Sequence, residues 1–299
     1  MAYIDETSPN STKAPTETFL CLHGQPTWSF LYRKMIPPLL ASSHPRRIIA
    51  PDLFGFGRSD KPSTDSAYTF NFHRNSLVHL VTTLDLQNVT LVVQDWGGLL
   101  GLTLPSEPAL THRFSRLIVM NTSLGTGQAP TQGFIDWRAY SNKNPDMPVG
   151  QLLARSCKVG GLALTAEEIA AYDAPYPDVR FKGGVRRFPN LVMTEANMEG
   201  VEVSLAARNF YQTSSHFGKD DVVVVCGMRD PVLGPPVMKK MRGMFKDGCW
   251  WGEIEMGGHF LQEWGGEVVG KALSVFDRKN SEAVDGMEAL DGGKSKASL

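Results

Sequence analysis

Asp95, Asp230 and His259 are the residues of this 299-residue chain whose types and order could break a bond. Asp95 lies in Leu91-Val92-Val93-Gln94-Asp95-Trp96-Gly97-Gly98, between an apolar run and a pair of glycines. A carboxylate is a poor catalyst of acyl transfer but a competent oxygen nucleophile toward an alkyl carbon, forming an ester that water must then cleave. The same aspartate could equally cap the helix that follows it. Asp230 stands in Gly227-Met228-Arg229-Asp230-Pro231, just past a run of valines. It reads either as the acid that orients a histidine or as a turn residue before proline. His259, after Gly257-Gly258, is the one histidine of seven that follows a strand and a Gly-Gly turn near the chain end. Its ordinary pKa suits a base near neutrality, although a core histidine with satisfied nitrogens remains the other reading.

The elements that must position these groups are short apolar strands alternating with helices. Phe19 to Cys21 runs into Leu22-His23-Gly24-Gln25-Pro26, a strand ending in a turn. Ser29 to Leu40 carries Phe30, Leu31, Met35 and Leu39 at helical spacing, with Pro37-Pro38 disrupting its end. Arg47 to Pro51 is a second strand, followed by the glycine-bearing loop Asp52 to Asp60. That loop lacks the Lys-Ser/Thr and helix of a phosphate cradle. Leu77, Leu80, Val81 and Leu84 form an apolar helical stripe ahead of the central strand, Val89 to Val93. The helix after that strand is expected over Leu99 to Leu104.

Further strands follow at Arg116 to Asn121, Asp221 to Cys226 and Trp251 to Met256. From Pro130 to about Ser215 no strand-like run occurs, and helix signals such as the capping box Thr165-x-x-Glu168 predominate. The predicted fold class is therefore α/β, a mostly parallel sheet covered by helices on both faces. A helical cap is inserted over the strand ends, where such sheets bind ligands. The predicted division is a core of residues 1–128 and 216–280, a cap of 129–215, and a disordered tail of 281–299. Strand-end turns hold His23, Asp52, Asp95, Asn121, Asp230 and His259. The order nucleophile, acid, histidine is that of the α/β-hydrolase fold.

Composition excludes several classes. With 30 Lys and Arg against 31 Asp and Glu, the net charge is −1, and there is no basic stripe for nucleic acid. No apolar run is long enough for a membrane span, and the first residues lack the pattern of a secretory signal. The four cysteines, Cys21, Cys157, Cys226 and Cys249, have no metal-ligand spacing and favour a reducing, cytoplasmic compartment. No metal or cofactor is expected.

Four stretches carry a family resemblance: His23 to Pro37, Pro51 to Pro62, Val93 to Gly98 and Gly258 to Glu263. They resemble the haloalkane dehalogenases, in the subfamily whose catalytic acid follows the strand after the cap. Ala174 to Asp178 and Val185 to Pro189 resemble its cap, and the similarity covers about residues 18–276. It implies Asp95 as nucleophile, His259 as base and Asp230 as its orienting acid. Trp96 and Trp137 would donate indole N–H groups to the leaving halide, and the backbone N–H groups of Gln25 and Trp96 would form the oxyanion hole. The implied partners are a small halogenated hydrocarbon, water and halide.

The chain departs from the pattern at Gln25, where the resembled subfamily usually carries Glu, so Gln25 either assists the halide or shapes the pocket. Val93 replaces the first glycine of the general elbow. About 17 residues precede the first predicted strand, few for the hairpin that relatives carry there, so an N-terminal edge strand is expected to be missing. Epoxide hydrolases share the Asp nucleophile and the His-Asp pair but need tyrosines to protonate the opening ring. Tyr140, Tyr172 and Tyr176 are the cap candidates.

Overall fold

The β-branched runs become the strands of one sheet. The computed structural model describes residues 1–9, 13–41, 44–278 and 284–292. Among these the strands are β1 (Tyr3–Thr7), β2 (Glu17–Leu22), β3 (Arg46–Pro51), β4 (Val89–Gln94), β5 (Phe114–Met120), β6 (Val222–Gly227), β7 (Gly248–Ile254) and β8 (Met287–Asp291). Their order across the sheet is β1-β3-β2-β4-β5-β6-β7-β8. The six inner strands run parallel, and β1 and β8 pair antiparallel at the two rims.

Helices α1 (Ile36–Leu40), α2 (Phe70–Thr83) and α3 (Trp96–Gly101) alternate with the first strands. Helices α4 (Gln132–Lys143), α5 (Val149–Val159), α6 (Ala166–Asp173), α7 (Gly183–Arg187) and α8 (Val201–Thr213) fill the interval between β5 and β6. Helices α9 (Pro235–Arg242) and α10 (Gly265–Phe276) follow β6 and β7.

Alternate strand residues feed two apolar layers, as the two-residue side-chain period requires. Phe19, Ile48, Val92, Ile118 and Val223 pack with Val268, Ala272 and Val275 of α10. Leu20, Ile49, Leu91, Leu117 and Val224 pack with α2, α3 and α9 on the other face. Parallel pairing brings the C-terminal ends of β2, β4, β5, β6 and β7 to one edge. The chain runs from β2 to β3 on one side of β2 and then crosses to β4 on the other, so the crevice opens between the ends of β2 and β4, where strand order reverses.

The helices between β5 and β6 lean on that edge. Tyr176 Oη donates to the Pro26 carbonyl at 3.1 Å, Gln25 Nε2 donates to the Val185 carbonyl at 2.9 Å, and Arg186 pairs with Asp65 at 2.9 Å. The strongest tie converges on Glu263, whose side chain is fully buried. It accepts from Arg33 at 2.7 and 2.8 Å, from Lys34 at 2.8 Å, and from the Tyr172 hydroxyl of α6. Arg33 also reaches Glu168 of α6 at 2.6 Å, and Glu168 closes the expected capping box with Thr165.

Four expectations are corrected. An N-terminal edge strand is present: β1 pairs residue by residue with β3, from Tyr3 opposite Pro51 to Thr7 opposite Arg47. The tail is not structureless throughout, since β8 pairs with β7; residues 281–283 and 293–299 lie outside the described residues. The helix expected over Ser29 to Leu40 divides into a 3-10 turn, Ser29–Lys34, and α1. Its prolines open the second piece rather than ending the first, because a first turn has no use for their missing N–H groups. Finally, α3 begins at Trp96, three residues before the expected Leu99, so Asp95 stands at its very threshold.

Candidate active site

Asp95 occupies a backbone conformation few side chains adopt, φ +51° and ψ −125°. The turn is held from outside: Asp95 N–H donates to the Asn121 carbonyl at 3.0 Å, and Thr122 Oγ1 donates to the Asp95 carbonyl at 2.7 Å. Glycine is required around it. A Cβ on Gly97 would lie 1.9 Å from the Leu22 carbonyl oxygen, and one on Gly24 would lie 2.5 Å from the Asp95 carboxylate. The Asp95 side chain makes no helix-cap hydrogen bond, so the capping role does not describe it. Instead Gln25 N–H donates to its Oδ1 at 2.8 Å, and the Trp96 backbone N–H also bonds the carboxylate.

The other oxygen, Oδ2, lies 3.8 Å from His259 Nε2. His259 Nδ1 donates to Asp230 Oδ2 at 2.8 Å. Asp230 is fixed in turn by the Val232 and Leu233 N–H groups at 2.8 and 3.1 Å, and by Asn121 Nδ2 at 2.7 Å. Asn121 also accepts from Gly227 N–H at 2.8 Å, so the end of β5 clamps the turn after β6. The three residues singled out for chemistry therefore meet.

Charge in this group is balanced by contact. Burial raises the Asp95 carboxyl above its usual range, against the pull of His259 and of the two backbone N–H groups. Burial opposes ionisation of Asp230 as well, but His259 and the bond from Asn121 outweigh it and hold Asp230 low. His259 is disfavoured as a cation by burial, yet Asp230 and Asp95 together push it up to about 9. Gln94 works against that push. Its amide donates to the His259 carbonyl at 3.0 Å and its oxygen accepts from Gln262 at 3.4 Å, which turns an N–H toward His259 Nε2 at 3.2 Å. An N–H facing Nε2 favours a lone pair there and a proton on Nδ1.

Asp95, His259, Trp96 and Trp137 all line one cavity of about 340 Å³ with a mostly apolar wall. Trp96 comes from the first turn of α3 and is braced by Phe188, with ring centroids 4.6 Å apart. Trp137 comes from α4, whose N-cap is Thr131, and it stacks on Tyr140 at 6.0 Å. Gln25 lines the cavity too, with one side-chain N–H committed to Val185.

His23, Asp52 and the three cap tyrosines are held in structural contacts. His23 accepts from Leu53 N–H at 2.9 Å through Nε2, and its Nδ1 donates to the Gly24 carbonyl at 2.9 Å. Asp52 ties its own loop by accepting from Ser29 N–H and Arg58 N–H at 2.8 and 2.9 Å. The three cap tyrosines are absent from the cavity lining and their hydroxyls are otherwise engaged: Tyr172 donates to Glu263, Tyr176 to Pro26, and Tyr140 accepts from Arg155 at 3.2 Å. What the sequence reading missed is the supporting work of Asn121, Gln94 and Thr122. Asn121 stood at a strand end, but only the register of β5 against β6 shows what it reaches.

Residues 17–266 match the family model for the alpha/beta hydrolase fold, which defines the class. The chain is 40% identical over 282 residues, 93% of its length and 87% of the relative's, to a haloalkane dehalogenase of Psychrobacter cryohalolentis. It is 41% identical over 227 residues, 74% of its length and 72% of the relative's, to haloalkane dehalogenase 1 of Mycobacterium tuberculosis. The solved tetrameric haloalkane dehalogenase DpaA from Paraglaciecola agarilytica NO2 superposes with a TM-score of 0.83 at 44% identity, covering 91% of this chain and 86% of that one. Haloalkane dehalogenase DbeA from Bradyrhizobium elkani USDA94, at 22% identity and a TM-score of 0.70 over 91% and 94% of the two chains, shares the fold. This chain belongs to the haloalkane dehalogenase family of hydrolases.

Proposed function

We propose that this chain hydrolyses haloalkanes to primary alcohol, halide and a proton through an ester on Asp95. One observation carries the reading. The Asp95 carboxylate opens on the same apolar cavity as two indole rings, with the Gln25 N–H on one oxygen and an imidazole facing the other. In the first step Oδ2 attacks the carbon bearing the halogen, and the carbon–halogen bond breaks with its electron pair leaving on the halide. Indole N–H groups are donors only, and in a dry pocket they act most strongly where the leaving group gathers charge.

Alkylation removes the negative charge of Asp95, and with it one of the groups that holds His259 cationic. The imidazole, its Nδ1–H on Asp230, then takes a proton from water. The water oxygen attacks the ester carbonyl carbon, and the oxyanion develops on Oδ1 between the Gln25 and Trp96 N–H groups. Collapse breaks the bond from the carbonyl carbon to Oδ2, the departing alkoxide takes the proton from His259 and leaves as the alcohol, and Asp95 is restored with one oxygen from water as the remaining proton is released. We assign residues 1–128 and 216–280 to the hydrolase core and 129–215 to a cap, with the acid after the strand that follows the cap. The four buried, unpaired cysteines fit a cytoplasmic enzyme.

The test is halide release from 1-bromobutane and 1-bromohexane beside diol formation from styrene oxide. Halide without diol is expected. Asp95→Ala should lose roughly 10⁴-fold or more in rate, the scale seen when a catalytic triad member is removed. His259→Gln should release one equivalent of halide and stall with the alkyl group on Asp95, visible by mass. A first turnover in ¹⁸O water should label Asp95 and not the alcohol; full activity of Asp95→Ala would end the proposal.

A further inference from the structure

The cavity has a closed end and an open one, and they differ in charge. At the closed end Trp96 is 2% exposed. At the open end Val159 is 63% exposed and the Arg229 side chain 47%. Two arginines among the lining residues, Arg155 and Arg229, are exposed with Val159, and these mark the mouth. Arg155 lies on the face of α5 that also turns Leu152, Ser156 and Val159 to the cavity, at the i, i+3, i+4 spacing of one helical side. It donates to the Tyr140 hydroxyl at 3.2 Å, and among the described residues no carboxylate pairs with it. Arg229, next to Asp230, meets Glu255 at 3.3 Å, but that carboxylate is itself 73% exposed. Asp95, at the reacting end, is the one acidic residue among those lining the cavity.

We propose that the mouth selects substrates with an anionic tail, so that ω-halocarboxylates are a favoured class beside neutral haloalkanes. The inference rests on the dehalogenase reading of the same cavity and names a substrate class for it. The carboxylate sits on Arg155, supported by the positive field of Arg229, and the methylene chain lies along Leu152 and Phe134. The carbon–halogen end reaches Asp95 and the two indoles. A guanidinium matches a carboxylate in two parallel hydrogen bonds. The anion of Asp95 repels a tail entering first, so the charge pattern also sets the direction of entry. The chemistry is unchanged: halide leaves, water supplies the hydroxyl oxygen, a proton is released, and the product is an ω-hydroxycarboxylate. Because the mouth faces solvent, salt screens the attraction.

The experiment compares 6-bromohexanoate with its methyl ester, which keeps the chain and removes the charge. The wild type should show a kcat/KM ratio of anion to ester above one at low ionic strength, falling as sodium sulfate is added. Arg155→Gln should lower that ratio about tenfold, the effect of one charged hydrogen-bonded contact, through KM rather than kcat. Arg155→Lys should recover part of it. A wild-type ratio at or below one, or a ratio that Arg155→Gln does not move, overturns the proposal. Turnover of the ester but not of the acid defeats this inference alone. Turnover of neither substrate, nor of 1-bromohexane, by folded protein defeats the dehalogenase reading and this inference with it.

Discussion

Asp95 carries its carboxylate on a left-handed backbone, with the Gln25 N–H on one oxygen and an imidazole 3.8 Å from the other. The two oxygens thereby stand in different surroundings before any substrate arrives, and on the proposed mechanism that is preorganisation, which removes reorganisation cost at the moment of reaction. If the indoles hold the departing halide, Trp96→Phe and Trp137→Phe should each lose roughly 10²–10³ in rate, the range for removing one such donor, as read by steady-state halide release. Gln94→Leu removes the N–H that faces Nε2 of His259, so the acid limb of the kcat profile should move to higher pH. His259 also links pH to folding. Its pKa is raised from 6.5 to about 9, so its ion pairs stabilise the fold in full below pH 6.5 and are lost as pH rises through 9. Denaturant melts across that window should show falling stability in the wild type and a flatter profile in His259→Gln. Asp95, Asp230 and His259 were legible in the sequence because each stands in the turn that follows a strand. The roles of Asn121 and Gln94 were not, since their partners lie 109 and 165 residues away along the chain.

At the scale of elements, the turn between β4 and α3 works because two backbones nearly touch. The Cβ of Gly97→Ala would sit 1.9 Å from the Leu22 carbonyl, which has no flexible end to yield. The turn must shift, at a cost of about 1–3 kcal/mol or more, and the variant should lose activity beyond what its reduced melting temperature explains. The capping box of α6 is a milder test. Thr165→Ala should cost about 1 kcal/mol, measurable by urea denaturation. The inner strands were legible because burial on both faces demands unbroken apolar runs. The rim strands were not: β1 reads Tyr-Ile-Asp-Glu-Thr and β8 Met-Glu-Ala-Leu-Asp, mostly exposed stretches whose only strand signal is the neighbour they pair with. The early start of α3 escaped notice for a related reason, since Trp96-Gly97-Gly98 is a poor helix opening that tertiary contact imposes.

Across the whole molecule, a second buried ion cluster joins distant parts of the chain. Arg46, 1% exposed at the start of β3, bonds Glu17 of β2 at 3.1 Å and Asp277 beyond α10 at 2.7 Å. Removing its charge leaves Glu17 buried, with Arg116 at 3.2 Å as its remaining cation. Arg46→Met should therefore destabilise by roughly 3–5 kcal/mol, the scale for breaking a buried pair, as measured by chemical denaturation. The Glu263 knot has a different reach. Its partners Arg33 and Lys34 lie on the segment that starts at Gln25, Tyr172 belongs to the helices over the strand ends, and Glu263 itself follows His259 by four residues. The helices between β5 and β6, the segment after Gln25 and the segment bearing His259 thus hang from a single carboxylate. An evolving lineage that loosened these helices to admit bulkier molecules by changing this anchor would unsettle the His259 segment in the same stroke, so a wider cavity has to be sought at lining residues such as Val159, which is 63% exposed.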